Sequence, residues 1–434
     1  MTRRCLLPIA TLLVLHAADT AFVHVNVVAM DGDVVLPDQT VVISGERIQR
    51  IASSQDVAIM AGTKRIDGAG AFLMPGLCDM HVHFALPAMH PSNFRSLNKK
   101  YSLQFLAAGI TSVRNMRGFP EVLTLRAAIA SGAVVGPQIY TTGPGNNGGD
   151  DLWPFDRQVE TAEDAIQAVS DDKSKGYDAI KVFSGLSALA YGQLMEAART
   201  SGLPVWGHVP FDVPLAGALA AKQKSIEHLT GYLDAIQPQV IHTSGGRYDA
   251  RTLRSVAEAT RDAGVWNCPT LVMLRALYTR WRTIPIARGA IDVTLPERFP
   301  DCRDTDPSLC EIAPDRFPLV LLKALNDNGA RLLVGTDAEG TYVVHGQSIH
   351  DELALYVAAG LTPYQALRAA TAGAAEFLGQ ENEFGAVAPG KLADLILLAA
   401  NPLADVTNAK RQIGVMVRGR WFTQQELEAA AKLK

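Results

Sequence analysis

Between residues 77 and 337 the chain alternates short apolar runs with stretches of helical period, and this alternation restricts its architecture more than any other feature. Eight runs can be marked: Leu77–Phe84, Ile110–Met116, Gln138–Thr142, Ala179–Phe183, Pro204–Val209, Ser225–Leu229, Val265–Leu271 and Arg331–Asp337. Strands separated by helices build parallel βα units. Eight units predict an α/β fold of the (β/α)8 TIM-barrel type, with the active face at the C-terminal strand ends. A doubly wound open sheet is the rival architecture. Against it, the Gly-rich segment Thr142-Gly-Pro-Gly-Asn-Asn-Gly-Gly149 lacks the strand-to-helix phosphate fingerprint.

Both flanks of this region read as β structure. Val23–Val28, the Asp31-Gly-Asp33 turn, Thr40–Ser44 and Arg47–Ile51 precede it, and the same texture returns in Ala393–Leu398 and Ile413–Trp421. A small β-sandwich built from both chain ends, residues 22–75 with 382–424, is therefore expected around a barrel at 76–381. A chain of 434 residues has room for both, since such a barrel uses about 250. From Tyr278 to Arg316 the pattern is irregular, with Pro285, Pro296, Pro300, Pro307 and Pro314. This excursion after the seventh strand is either a lid or rim, or a packed surface loop.

Hydrophobic residues make up 48% of the chain and charged residues 19%, which suits a well-buried globular enzyme. Lys and Arg number 40 against 44 Asp and Glu, so no basic field is available and nucleic acid is not an expected partner. Residues 1–21 read as an export signal: Arg3 and Arg4, an apolar core from Cys5 to Leu15, then small residues with cleavage near Ala18 or Ala21. A periplasmic or secreted location follows, with a cytosolic N-terminus as the alternative. No remaining stretch has the roughly 20 apolar residues of a membrane span. In an oxidising compartment Cys302 and Cys310, closing a short polar loop, have spacing that permits a disulfide without requiring it, while Cys78 and Cys268 sit in apolar runs as buried thiols.

Several runs end on side chains suited to a cation. His81 and His83 lie two apart, so both imidazoles share one face of a strand and can reach one ion. Trp206-Gly-His208 ends the fifth run and Ile226-Glu-His228 the sixth. Packing explains one histidine at a strand end more readily than four. Asp337, carried by the apolar Leu333-Val-Gly-Thr-Asp337, would be costly to bury without a cation or hydrogen-bond partner. Lys181 in Ala179-Ile-Lys-Val-Phe183 poses the same problem with opposite sign. Beside divalent cations its ammonium should lose a proton. A neutral lysine amine can react with carbon dioxide to give an anionic carbamate able to bridge two metals. Its alternative role is to snorkel to an ion pair.

These residues carry a resemblance. The chain is similar to the amidohydrolase superfamily, in its imidazolonepropionase-related and prolidase-like (Xaa-Pro or Xaa-Arg dipeptidase-like) branch. The resemblance covers nearly all of residues 22–424 and rests on Met74-Pro-Gly-Leu-Cys-Asp-Met-His-Val-His83, Ile180-Lys-Val-Phe183, Gly207-His208, Glu227-His228 and Gly335-Thr-Asp337. Flanking agreement comes from Gly360–Thr371 and Gly385–Leu395. It implies two divalent ions, most often zinc: His81, His83 and Asp337 would hold the more buried one, His208 and His228 the more exposed one, and carbamylated Lys181 would bridge them. It implies hydrolysis by a bridging hydroxide, with Asp337 as ligand and proton shuttle.

Three readings of function stay open. One is a peptidase or amidase acting on dipeptides or N-acyl amino acids, including ochratoxin-like amides. Another is a hydrolase of cyclic amides or lactones. The third, of another class, is an exported binding protein without turnover. The partner is in each case a small molecule, and homo-oligomerisation is left open. For oxyanion support, prolidase-like relatives carry a histidine in the Gly-rich stretch after strand three, where this chain has Gly145-Asn146-Asn147-Gly148-Gly149. Asn146 or Asn147 could donate instead, and Tyr232, four residues past His228, is the preferred candidate. His345 and Arg117 are candidates for touching substrate and for pairing with a carboxylate, respectively. Trp153 and Phe155 could line an aromatic pocket. His350 is expected to be structural, and His90 and His242 have no supporting pattern.

Overall fold

The computed structural model describes residues 20–149, 156–236, 246–282, 310–312, 316–338 and 343–432. A strand falls at each expected barrel run, the third continuing five residues beyond it: Leu77–Val82, Ile110–Asn115, Gln138–Asn147, Ala179–Val182, Val205–Gly207, Ser225–Glu227, Trp266–Cys268 and Arg331–Leu332. They pair in that order, all parallel. The sheet closes on itself where Met80 N–H donates to Val334 O (2.9 Å), Asp337 N–H to His81 O (2.7 Å) and His83 N–H to Ala338 O (3.1 Å). The architecture is the (β/α)8 barrel that the alternation predicted.

Local chemistry sets the helix limits. Thr161 and Asp164 form a reciprocal capping box at the start of Ala162–Lys175, and Gly176 ends it in a left-handed turn. Asp249 caps Ala250–Ala263, and Gly264 terminates that helix in the same way. Cys78, Met80, Trp206, Trp266 and Cys268 fill one layer against the closing helix Ala372–Leu378.

Both chain ends join in one mixed sheet. Its order is Arg420–Thr423, Gln412–Val417, Leu395–Leu398, Phe72–Pro75, Thr20–Val27, Leu36–Ser44 and Arg47–Ser53. Lys64–Asp67 branches off Thr20–Val27. Thr20–Val23 pair with that branch, whereas Asn26 and Val27 pair with Phe72 and Leu73. Between the two segments His24 adopts φ 58°, and the sheet divides. Its arms meet again where Phe22 and Trp421 touch edge to face at 5.3 Å. They enclose a separate core of Phe22, Val41, Ile43, Leu73, Leu395, Leu397 and Met416. This is the sandwich expected from both ends.

The first strand starts at Thr20, two residues ahead of the boundary read from sequence. Cleavage after Ala18 would leave it whole. Cleavage after Ala21 would remove Thr20 and Ala21, which pair with Ile43 and Val42. Residues 1–19, which contain most of the proposed export signal, lie outside the described residues, as do Trp153, Phe155, His242 and Cys302. The irregular excursion begins later than expected, because the helix Leu271–Arg282 continues through Tyr278; 283–309 and 313–315 are likewise outside the described residues. No helix among the described residues is long and apolar enough to cross a membrane.

Candidate metal centre

Strand geometry brings the six expected ligand residues to one end of the barrel. His81 and His83 extend from strand one to the Asp337 carboxylate, with Nε2 atoms 3.4 and 2.9 Å from its Oδ1. The His228 ring lies 4.6 Å from that of His81, and the His208 ring 5.0 Å from that of His228. Lys181 rises from strand four with Nζ 4.7 Å from the centre of the Phe183 ring, whose edge contact with His208 is 5.0 Å. Three of the imidazoles are steered from behind. His81 Nδ1 contacts Glu227 Oε2 at 2.9 Å, His208 Nδ1 the Ser184 hydroxyl at 2.8 Å, and His228 Nδ1 the Thr270 hydroxyl at 2.7 Å. Each Nε2 is thereby left as the atom available to a cation.

The backbone is bent to achieve this. His228 (φ 57°), Leu229 (φ 55°), Thr270 (φ 51°) and Asp337 (φ 60°) occupy the left-handed region that non-glycine residues avoid. Such strain concentrates at functional sites. Two glycines permit close approaches beside it. A Cβ on Gly207 would meet Val182 O at 2.1 Å, and one on Gly335 would meet Cys268 Sγ at 2.5 Å and His81 N at 2.7 Å.

Behind the ligands lies a layer of buried charge that sequence reasoning missed. Glu227 is fully buried and accepts from Ser225 Oγ (2.5 Å) and Arg114 Nη2 (2.8 Å) besides its contact with His81. Arg114, also fully buried, donates to Met80 O and Ser225 Oγ and lies against both the Trp206 and Phe377 rings, which touch each other at 5.4 Å. Asp79 accepts from Thr336 N–H (2.9 Å) and Thr336 Oγ1 (2.7 Å), joining strand one to the segment that delivers Asp337. Burial pushes its carboxyl up to about 7. The available signal was alternation: Ser225 and Glu227 are two apart on one strand, and their face must be the barrel interior if His228 lies beyond the strand end.

Glu352 receives the backbone N–H groups of Leu271 (2.9 Å) and Val272 (2.7 Å), pinning the turn that carries Thr270 and so His228. Desolvation raises its carboxyl to about 8. A raised carboxyl gives stability that is complete below the unfolded value near 4.5 and is lost as pH rises through 8. Relative to Glu352→Gln, wild-type stability is therefore expected to fall between these limits, by on the order of a few kcal/mol once ionisation is complete. Urea titrations of both proteins across that range check this. Parallel pH profiles would refute it.

The donor set fits divalent cations. Among the described residues, the buried Lys181 Nζ and His81 Nε2 have no hydrogen-bond partner, an expensive arrangement unless something polar occupies the space between them. Burial holds Lys181 down to about 8 and keeps His81 and His208 well below their ordinary value, and His228 at about 4. Neutral imidazoles and an accessible neutral amine are the forms that ligation and carbamate formation need. His81, Glu227 and Cys268 also converge. There, burial raises the Cys268 thiol far above its usual range, and His81 presents the nitrogen already bonded to Glu227, so that trio reads as support for the centre.

The remaining candidates are distributed differently. Tyr232 is not brought to the cluster: the turn at Gly231 (φ 79°) carries its ring into the layer between barrel and helix, where its hydroxyl meets Thr260 Oγ1 (3.0 Å) and Asn267 Oδ1 (2.8 Å). Its assignment as oxyanion donor is corrected to a packing role on that geometry. His345 is 3% exposed, stacks on Tyr101 at 3.7 Å and bonds His83 O through Nε2 (2.8 Å). It supports the end of strand one and does not present itself to substrate. Asn146 and Asn147 belong to strand three rather than to a loop; Asn146 donates to Lys181 O of strand four (2.9 Å), and Asn147 accepts from Gly185 N–H in the turn beyond it (2.9 Å). His350 is a buried residue of the helix Ser348–Ala358, as expected. Arg117 and His90 both line a pocket that includes His83.

Comparison with known proteins agrees with this fold. The chain is 25% identical over 406 residues to adenine deaminase 3 of Rhizobium meliloti, covering 90% of this chain and 55% of that protein. It thus spans about half the length of that relative. Imidazolonepropionase of Idiomarina loihiensis is 26% identical over 417 residues, covering 92% of this chain and 95% of its own. A crystal structure of a Xaa-Pro dipeptidase with methionine bound in the active site superposes with a TM-score of 0.70 at 21% identity, over 94% of this chain and 100% of that one. The amidohydrolase family profile matches residues 72–422, and the chain belongs to the amidohydrolase family.

Proposed function

We propose that this amidohydrolase cleaves the amide C–N bond of dipeptides or N-acyl amino acids at a centre of two divalent ions, with zinc as the expected metal. One observation carries the reading: a buried lysine amine without a partner converges with four histidines and an aspartate at the barrel mouth. His81, His83 and Asp337 would hold one ion, His208 and His228 the other, and Lys181 as its carbamate would join them. Such a pair supplies Lewis acidity and brings the pKa of water toward neutrality.

The protein's own groups account for the rest. Asp337, at 14% side-chain exposure, is the carboxylate that opens toward solvent, and it would take the proton of the attacking water and return it to the departing nitrogen. That return is needed because an unprotonated amine is a poor leaving group. The imidazoles of His81, His208 and His228, held neutral by burial, do not compete for the proton. Export of the chain with cleavage after Ala18 belongs to the same proposal.

A second reading, hydrolysis of a cyclic amide or lactone, is favoured by the imidazolonepropionase relative matched over nearly its whole length. A panel of dipeptides, N-acyl amino acids, cyclic amides and lactones, assayed with metal-reconstituted protein, separates the two. Turnover of the linear amides is expected, falling at least roughly 100-fold in Asp337→Asn. Turnover confined to cyclic substrates would transfer the assignment, and full activity in Asp337→Asn would remove the shuttle. Inactivity on the whole panel would favour a binding protein.

A further inference from the structure

We propose that His345 is a positioning residue for the metal centre: it fixes the backbone at His83 and so sets how tightly the ion of His81, His83 and Asp337 is held; this rests on the two-ion reading above. Strand one ends at Val82, and just beyond it His83 N–H still reaches Ala338 O (3.1 Å). From there the chain leaves the barrel, and side chains take the place of a neighbouring strand. His345 Nε2 bonds His83 O (2.8 Å) and Asn115 Oδ1 accepts from Phe84 N–H (3.1 Å). Asn98 accepts from Ala85 N–H (2.7 Å) and donates to Ala85 O (3.1 Å). Three consecutive residues are thus held by buried side chains from strand two, from the helix Phe94–Ala107 and from the segment after strand eight.

His345 is itself fixed. A carbonyl oxygen can only accept, so Nε2 must carry the ring proton. The ring stacks on Tyr101 at 3.7 Å with an interplanar angle of 8°, and Phe105 meets it edge on at 5.5 Å. Ser348 Oγ accepts from Val344 N–H (2.9 Å) on one side of it. On the other, Gly346 adopts φ 84°, where a Cβ would meet Gln104 O at 2.3 Å. Helix one and the segment after strand eight therefore grip the end of strand one between them. Tyr101 also lines the pocket that includes His83, so this strut ends on a pocket wall.

A ligand must be held within about 0.5 Å of its working place. His81, His208 and His228 are steered through Nδ1 by Glu227, Ser184 and Thr270. His83 is steered through its own peptide. His208 and His228 lie beyond the ends of strands five and six and are not tied to residues 83–85, so loosening that segment should act on one ion and spare the other.

The test compares two variants of the full-length protein. His345→Phe keeps the stacked ring and removes the donor, whereas His345→Gln places an amide donor near the position of Nε2. In chelator-buffered zinc titrations, His345→Phe should weaken one of two binding steps roughly 10- to 100-fold and leave the other little changed. His345→Gln should recover most of the loss, and Tyr101→Leu should reproduce a smaller part of it. Imidazole spectra of metal-free protein labelled with 15N-histidine give a second readout: in His345→Phe the His83 signals should broaden or shift while those of His228 stay in place. Wild-type affinity at both steps in His345→Phe, an equal loss at both, or no recovery in His345→Gln would overturn the inference. A wild type that binds no zinc would remove the two-ion reading, and the imidazole spectra would then decide the strut alone, an unchanged His83 counting against it.

Discussion

Lys181→Met protein is expected to retain about one divalent ion per chain against the two proposed for the wild type, and to lose hydrolysis by roughly 10³-fold or more. Methionine matches the length and apolar stem of lysine, so the fully buried position stays filled and the fold should persist. What it cannot do is form a carbamate. With that anion absent, two cations at His81, His83, His208, His228 and Asp337 would face each other with a single protein carboxylate between them, and one should leave. Metal content by mass spectrometry after gel filtration gives the count, and circular dichroism separates loss of metal from loss of fold. The proposed carbamate also predicts that metal-free wild type reconstitutes slowly in buffer stripped of carbon dioxide and quickly when bicarbonate is added. Two retained ions in Lys181→Met, with the fold intact, would exclude a lysine bridge.

Arg114→Met should cost roughly 3–5 kcal/mol in stability, because it strands the Glu227 carboxylate in the barrel interior. Arg114 also packs against Trp206 and Phe377, and methionine replaces part of that packing, so the loss is chiefly electrostatic. The double variant Arg114→Met/Glu227→Gln removes the stranded charge and should recover a large share of the deficit. Recovery of stability should not bring recovery of the metal centre. Once Glu227 is an amide, His81 loses the anionic acceptor that fixes its tautomer, and metal affinity should fall roughly 10- to 100-fold. Urea unfolding of the metal-free proteins and chelator competition on the loaded ones measure the two effects separately. A loss below about 1 kcal/mol in the single variant would mean that Glu227 is not held as a buried anion.

The barrel was legible because its strands are short, mainly apolar runs and the stretches between them have helical length and period. The clustering of the candidate ligands was legible for a related reason: a polar residue at the end of an apolar run has few ways to be satisfied. The same argument applied with equal force to Asp79, Arg114 and Glu227, each inside such a run, and would have exposed the charged layer behind the centre. Tyr232 was misread because proximity in sequence carries no direction. A single left-handed glycine after Thr230 turned its ring away. Ser184 and Thr270 were invisible on different grounds, since small hydroxyl residues next to turns are common and only tertiary closure places them behind a particular imidazole.

The way the two chain ends share one sheet bears on how the molecule is made. Phe72–Pro75 pairs with Leu395–Leu398, and Arg47 meets Glu383 across 336 residues of sequence. During synthesis the edge at Phe72–Pro75 stays unpaired until nearly the whole barrel has emerged, and such an edge is a template for foreign strands. Contacts this distant are also the slowest to form. Aggregation of the newborn chain should therefore be governed less by the barrel than by this waiting edge, and a peptide spanning residues 393–417, supplied during refolding, should compete for it directly.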